Sequence, residues 1–154
     1  MKRTFLVLIL SLFAFYAQAT DPAPILKRAE TGNLRALNQS FGLLKKADGH
    51  LAEEISTSIG KSIRAKPKNF LSSLKKNRKK VSRLDAIVGG LGPDYVDEYA
   101  KQKTELEARL KAIQTVKANT LKGVRKECED LLKESIVSAE ESIRSAGPLE
   151  VPTK

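Results

Sequence analysis

One histidine, His50, one cysteine, Cys128, and eighteen carboxylates are the side chains from which this 154-residue chain could assemble a catalytic centre. A Ser-His-Asp relay would have to use His50. That residue follows Asp48-Gly49 at the start of a helical pattern, where a first-turn side chain is solvated. A metal site has no second imidazole to draw on, and no Gly-x-Ser-x-Gly turn is present. The carboxylate pairs Glu53-Glu54 and Asp97-Glu98 are adjacent, so a helix sends their members about 100° apart rather than across one cleft. Gly89-Gly90-Leu91-Gly92 has the composition of a phosphate loop but lacks a strand before it and a Lys-Ser/Thr after it, and it reads as a helix break. Cys128 falls in the series Leu121, Val124, Cys128, Leu131/Leu132, where a thiol is expected as core filling, with a bridge between two chains as the alternative. No catalytic residue, cofactor or metal is expected, and the chain reads as a non-enzyme.

Charge carries the functional signal. Between Glu54 and Asp85 there is no acid, while Lys61, Arg64, Lys66, Lys68, Lys75, Lys76, Arg78, Lys79, Lys80 and Arg83 supply ten positive charges. Residues 20–93 hold 15 bases against 6 acids, whereas residues 94–154 hold 11 against 12. A block of this kind gathers an anionic partner, with strong salt dependence because the Debye length is about 8 Å at physiological ionic strength. Five cations around Asn77 stand far in sequence from any acid, which leads to the expectation that they face water or a partner. Nucleic acid is disfavoured, since Phe70 is the one aromatic interleaved for base stacking.

The elements that would position this block are helical. Lys2-Arg3, an apolar run from Phe5 to Tyr16 and Ala17-Gln18-Ala19 read as an export signal cleaved after residue 19, leaving a periplasmic or secreted chain with no membrane-spanning segment. An exported chain with one cysteine holds no internal disulfide, so residues 20–146 must fold as one domain by packing alone, with 147–154 a loose tail. Sparse aromatics and abundant Ala, Leu, Lys and Glu favour an all-α fold. Helices are expected from about Pro24 to Thr31 and, capped by Asn33, through Leu34, Leu37, Phe41 and Leu44. The central helix follows Asp48-Gly49. On it Leu51, Ile55, Ile59 and Ile63 form a buried arc edged by Ser58 and Ser62, whose hydroxyls should bond back to the preceding turn. Ala52, Ser56 and Gly60 form a small-residue row beside that arc, open to close approach of another backbone. Lys66-Pro67 ends this helix and begins another with Phe70, Leu71 and Leu74 inward.

Asp94, Asp97 and Glu98 are expected in the first turn of a following helix, whose stripe is Tyr95, Tyr99, Leu106, Leu110 and Ile113. Acid-first pairs four apart, Glu105 with Arg109 among them, suit an exposed face. The stripe resumes at Leu121 and runs to Ile143, with an antiparallel turn near Asn119 favoured over one long helix.

Helices of this length between Gly-containing turns, with Phe41-Gly-Leu-Leu44-Lys-Lys echoed by Phe70-Leu-Ser-Ser-Leu74-Lys-Lys, resemble HEAT-type helical repeats over residues 24–92. The resemblance implies a binding scaffold. The fold expected is a short stack of helical hairpins, solenoid-like or an irregular bundle (24–92, basic), followed by a longer helical hairpin or helix (93–146). The function expected is an exported adaptor whose face at 61–83 docks an acidic protein or an anionic envelope surface. Two alternatives stand beside it: an assembly protein forming a homodimer through residues 93–143, and an enzyme of unrecognised type. N-terminal sequencing of the protein from its native host should begin at Thr20; an intact Met1 on exported material would contradict the leader.

Overall fold

Residues 21–146 are described by a computed structural model, and the leader and tail read at 1–19 and 147–154 lie outside the described residues. The chain forms α1 (Ala23–Glu30), α2 (Leu34–Leu44), α3 (Gly49–Ala65), α4 (Pro67–Asn77), α5 (Leu84–Val88), α6 (Tyr99–Gln114) and α7 (Lys122–Ser145). Three single turns of 3-10 helix, Arg78–Lys80, Pro93–Tyr95 and Asn119–Leu121, join them, and no strand occurs among the described residues.

Local chemistry sets most boundaries. Gly32 closes α1 with φ +74, and a Cβ there would stand 2.6 Å from the Lys66 side chain, so both conformation and space call for glycine. Asn33 caps α2 through Oδ1, which accepts from the Ala36 amide at 3.0 Å. Lys66 is the junction at which α3 stops and Pro67 opens α4.

The helices stack as hairpins. α1 packs on α2 and on α3, α2 packs on α4, α3 packs on α6 and α4 touches α7, so first helices lie on first helices and second on second. Two layers result, α1–α3–α6 and α2–α4–α7, with short α5 inserted between α3 and α7. α6 and α7 are the most extensively packed pair. They run antiparallel: Lys103 near the start of α6 pairs with Glu140 late in α7 at 2.9 Å, while Arg125 early in α7 reaches the Val116 carbonyl just past α6. The hairpin thus turns at Asn119, as the broken stripe implies.

α3 lies at the centre, and Ile55, Ile59 and Ile63 are fully buried in the core with Leu37, Phe41, Phe70, Leu71, Leu74 and Ile87. Both echoed phenylalanines, Phe41 and Phe70, belong to the second helices of successive hairpins. Leu51 departs from the expected arc and is 39% exposed. α3 has seventeen residues against eight in α1 and five in α5, so its first turn overhangs the helices that cover it. Ser62 bonds back to the Ile59 carbonyl at 2.5 Å as expected, but Ser58 donates instead to Glu30 Oε1 at 3.3 Å because α1 brings that carboxylate alongside. Asp94, Asp97 and Glu98 precede α6 rather than occupying its first turn; Asp97 has φ +61, a left-handed kink that delays the helix to Tyr99.

The small-residue row does what its spacing implies at Gly60, where a Cβ would stand 2.5 Å from the Ile87 carbonyl oxygen and 3.0 Å from Arg109 Nη1. Gly→Ala in an open helix stabilises by about 1 kcal/mol. Gly60→Ala should instead lower the denaturation midpoint, as should Ile59→Ala by about 2–5 kcal/mol through lost transfer energy and an unfilled cavity. A midpoint raised by Gly60→Ala would contradict the close approach of α3 to the α5 segment.

Candidate functional site

The α5 helix ends at Val88 and the chain turns through Gly89–Gly92, leaving carbonyls that no following turn can satisfy. Arg109 of α6 supplies the donor. Its Nη1 donates to the Val88 carbonyl at 2.9 Å and to the Gly90 carbonyl at 3.0 Å, and its Nε lies 3.3 Å from Glu105 Oε1 one turn back. The residue is 1% exposed, so the pair expected on an open helix face is a buried one. Burial works against the guanidinium charge and Glu105 works for it.

Two further arginines repeat the arrangement. Arg78 makes a two-pronged pair with Glu127 of α7, Nε lying 2.9 Å from Oε2, while its Nη1 donates to the Val81 carbonyl at 2.9 Å. The hydrogen bond from Arg78 holds the Glu127 carboxyl below its usual value. Arg125 reaches the Val116 carbonyl and lies 3.2 Å from Glu129. Each guanidinium joins one carboxylate to one or two main-chain carbonyls where the chain leaves a helical turn, a task suited to its fixed fork of donors.

These contacts divide the ten cations singled out in the sequence. Lys61 pairs with Glu30 of α1 at 3.1 Å and Arg64 with Glu105 at 2.7 Å, placing both beside the α1–α3–α6 layer. Arg83 pairs with Asp85 at 2.9 Å. The expectation that every cation around Asn77 faces water or a partner therefore fails for Arg78, because sequence distance from an acid is not spatial distance: α4 stacks on α7 and meets Glu127. Among the described residues Lys66, Lys68, Lys76 and Lys79 have no carboxylate partner; Lys75 donates to the Thr120 carbonyl at 2.8 Å and Lys80 to Asn77 Oδ1 at 3.4 Å. All three arginines of the block are thus held in internal pairs, and the cations left without one are lysines.

The remaining lysines gain neighbours that the linear block did not reveal. α2 and α4 run side by side in the same direction. Asn69 donates to the Gly32 carbonyl at 2.9 Å at one end, and farther along Asn38 Oδ1 accepts from Ser73 Oγ and Asn77 Nδ2, each at 3.0 Å. Residues 31–47, which contain α2, also carry no acid and add Arg35, Lys45 and Lys46. This second gap in the acid pattern was the available signal, visible only once α2 and α4 are known to be neighbours. The outer surface of the pair carries Arg35, Lys46, Lys68, Lys75, Lys76 and Lys79, all exposed and with no carboxylate from either helix. Leu34, 44% exposed, sits with Arg35, Asn38, Gln39 and Lys76 around a shallow open depression on this face.

His50 is exposed at the overhanging start of α3. Cys128 is fully buried, and desolvation pushes its thiol up to about 12, so it is neither a thiolate nucleophile nor accessible for a bridge. No group of three or more His, Cys, Asp or Glu side chains suited to a metal ion occurs among the described residues. Compared with known proteins, the chain matches no family model, no curated protein and no solved structure.

Proposed function

We propose that this protein is an exported, non-enzymatic helical binding protein that docks an anion-bearing macromolecule on the outer face of α2 and α4. The observation that supports it is the juxtaposition of α2 and α4, which lie in the acid-free segments 31–47 and 55–84, as neighbouring parallel helices, with Arg35, Lys46, Lys68, Lys76 and Lys79 on and beside them having no carboxylate partner among the described residues. Equal charges held together cost stability through mutual repulsion, a cost that an anionic partner relieves. Each lysine contributes little, since an exposed ion pair gives about 0–1 kcal/mol. Affinity is therefore collective and falls steeply with salt. Export follows from the leader pattern of residues 1–19. The docking face belongs to α2 and α4 rather than to the whole 61–83 block, so Lys61, Arg64, Arg78 and Arg83 serve the fold and not the partner.

Charge position, not total charge, is the test. Lys46, Lys68, Lys76 and Lys79 reversed to Glu should elute from a polyglutamate resin at far lower salt than a control with Lys27, Lys101, Lys111 and Lys133 reversed, although both variants change net charge equally. Thermal midpoints of the two should stay near wild type. Equal loss of retention in both would contradict a localised face.

A further inference from the structure

The kind of surface that fits this face follows from what it lacks. Anchors of protein–protein contacts are buried Trp, Tyr and Arg seated in pockets. The outer face of α2 and α4 presents no aromatic residue, because Phe41 and Phe70 are fully buried, and Arg35 is its one arginine. The depression around Leu34 and Lys76 is shallow and open, a poor seat for a partner's side chain. Lysine, by contrast, is a point charge on a flexible stem that follows mobile anions without needing a fixed geometry. Two parallel helices of eleven residues, each about 16 Å long, make a low-relief basic surface with Leu34 exposed among the cations. Base stacking has no platform here either.

Resting on the reading of this face as an anion-docking surface, we infer that its partner is an anionic lipid bilayer, whose phosphate headgroups Arg35 of α2, Lys68 and Lys76 of α4 and the adjoining Lys46 and Lys79 meet while the protein stays peripheral. No helix among the described residues is long and apolar enough to cross a membrane, so attachment is interfacial and reversible. Attraction of juxtamembrane lysines to such a surface amounts to a factor on the order of five in affinity for each residue.

The test is co-sedimentation of the full mature chain with vesicles. Vesicles of mixed phosphatidylglycerol and phosphatidylcholine should retain the protein at low salt and release it as salt rises, while pure phosphatidylcholine should not retain it. Lys46, Lys68, Lys76 and Lys79 changed to Gln should each weaken retention by a factor on the order of five, and the Gln control at Lys27, Lys101, Lys111 and Lys133 should bind like wild type. Failure to bind anionic vesicles, alongside face-dependent retention on polyglutamate, overturns the lipid assignment and leaves the docking face standing with an acidic protein as its partner. Loss of position dependence on both supports overturns the lipid assignment and the docking face together.

Discussion

The α5 segment ends in carbonyls buried against α3 and α6, and a single guanidinium satisfies them. Arg109 can reach Val88 and Gly90 only because Gly60 has no side chain: the space a Cβ would fill holds the Ile87 carbonyl and the arginine itself. Three elements far apart in sequence are therefore tied at one point. α3 supplies the gap, the α5 turn supplies acceptors and α6 supplies the donor, while Glu105 balances the charge and also holds Arg64 of α3. Without that knot the α5 turn between α3 and α6 would be left with unsatisfied backbone carbonyls, and Arg78 with Glu127 and Lys75 with the Thr120 carbonyl would remain as polar ties from α4 and its end to the hairpin.

A division of labour between the two basic residue types follows. Five arginines are tied within the chain: Arg78, Arg109 and Arg125 each link a carboxylate to backbone carbonyls beyond a helical turn, and Arg64 and Arg83 are paired with acids, whereas Arg35 stands exposed on α2. Lys46, Lys68, Lys76 and Lys79 stay outside, on the second-helix layer where α2 and α4 bring no acid. The positive charge of this chain thus has two origins that composition merges, one fastening hairpins to each other and one left facing outward.

The helices, their breaks at Gly32, Asp48-Gly49 and Lys66-Pro67 and the buried row Ile55, Ile59, Ile63 are all readable in the sequence, because each depends on residues within a few turns. The all-α stack and its closing hairpin follow from the same local signals. Spatial pairing is not local. Arg109 reads as half of an exposed pair because an i,i+4 spacing is the same whether the face is wet or covered, and the orphan carbonyls that claim it lie nineteen and twenty-one positions away. Arg78 reads as unpaired for the same reason, its acid being Glu127. The basic face was half legible: the run in α4 stands out, whereas its extension onto α2 requires knowing that second helices stack on second helices. Leu51 shows a further limit, since periodicity gives the direction of a side chain but not where the covering helices stop.

The knot at Arg109 can be tested by the way its stability responds to complete replacement. An ordinary buried ion pair exchanged for apolar residues of similar size often regains its stability or exceeds it, because both charges leave together. Here two of the partners are backbone carbonyls that substitution cannot remove. Denaturant unfolding of Arg109→Met should show a loss of about 3–5 kcal/mol, and adding Glu105→Leu should recover little of it. Full recovery in the double variant would show that Arg109 serves only to balance Glu105 and would contradict its role in holding the α5 turn to the α6–α7 hairpin.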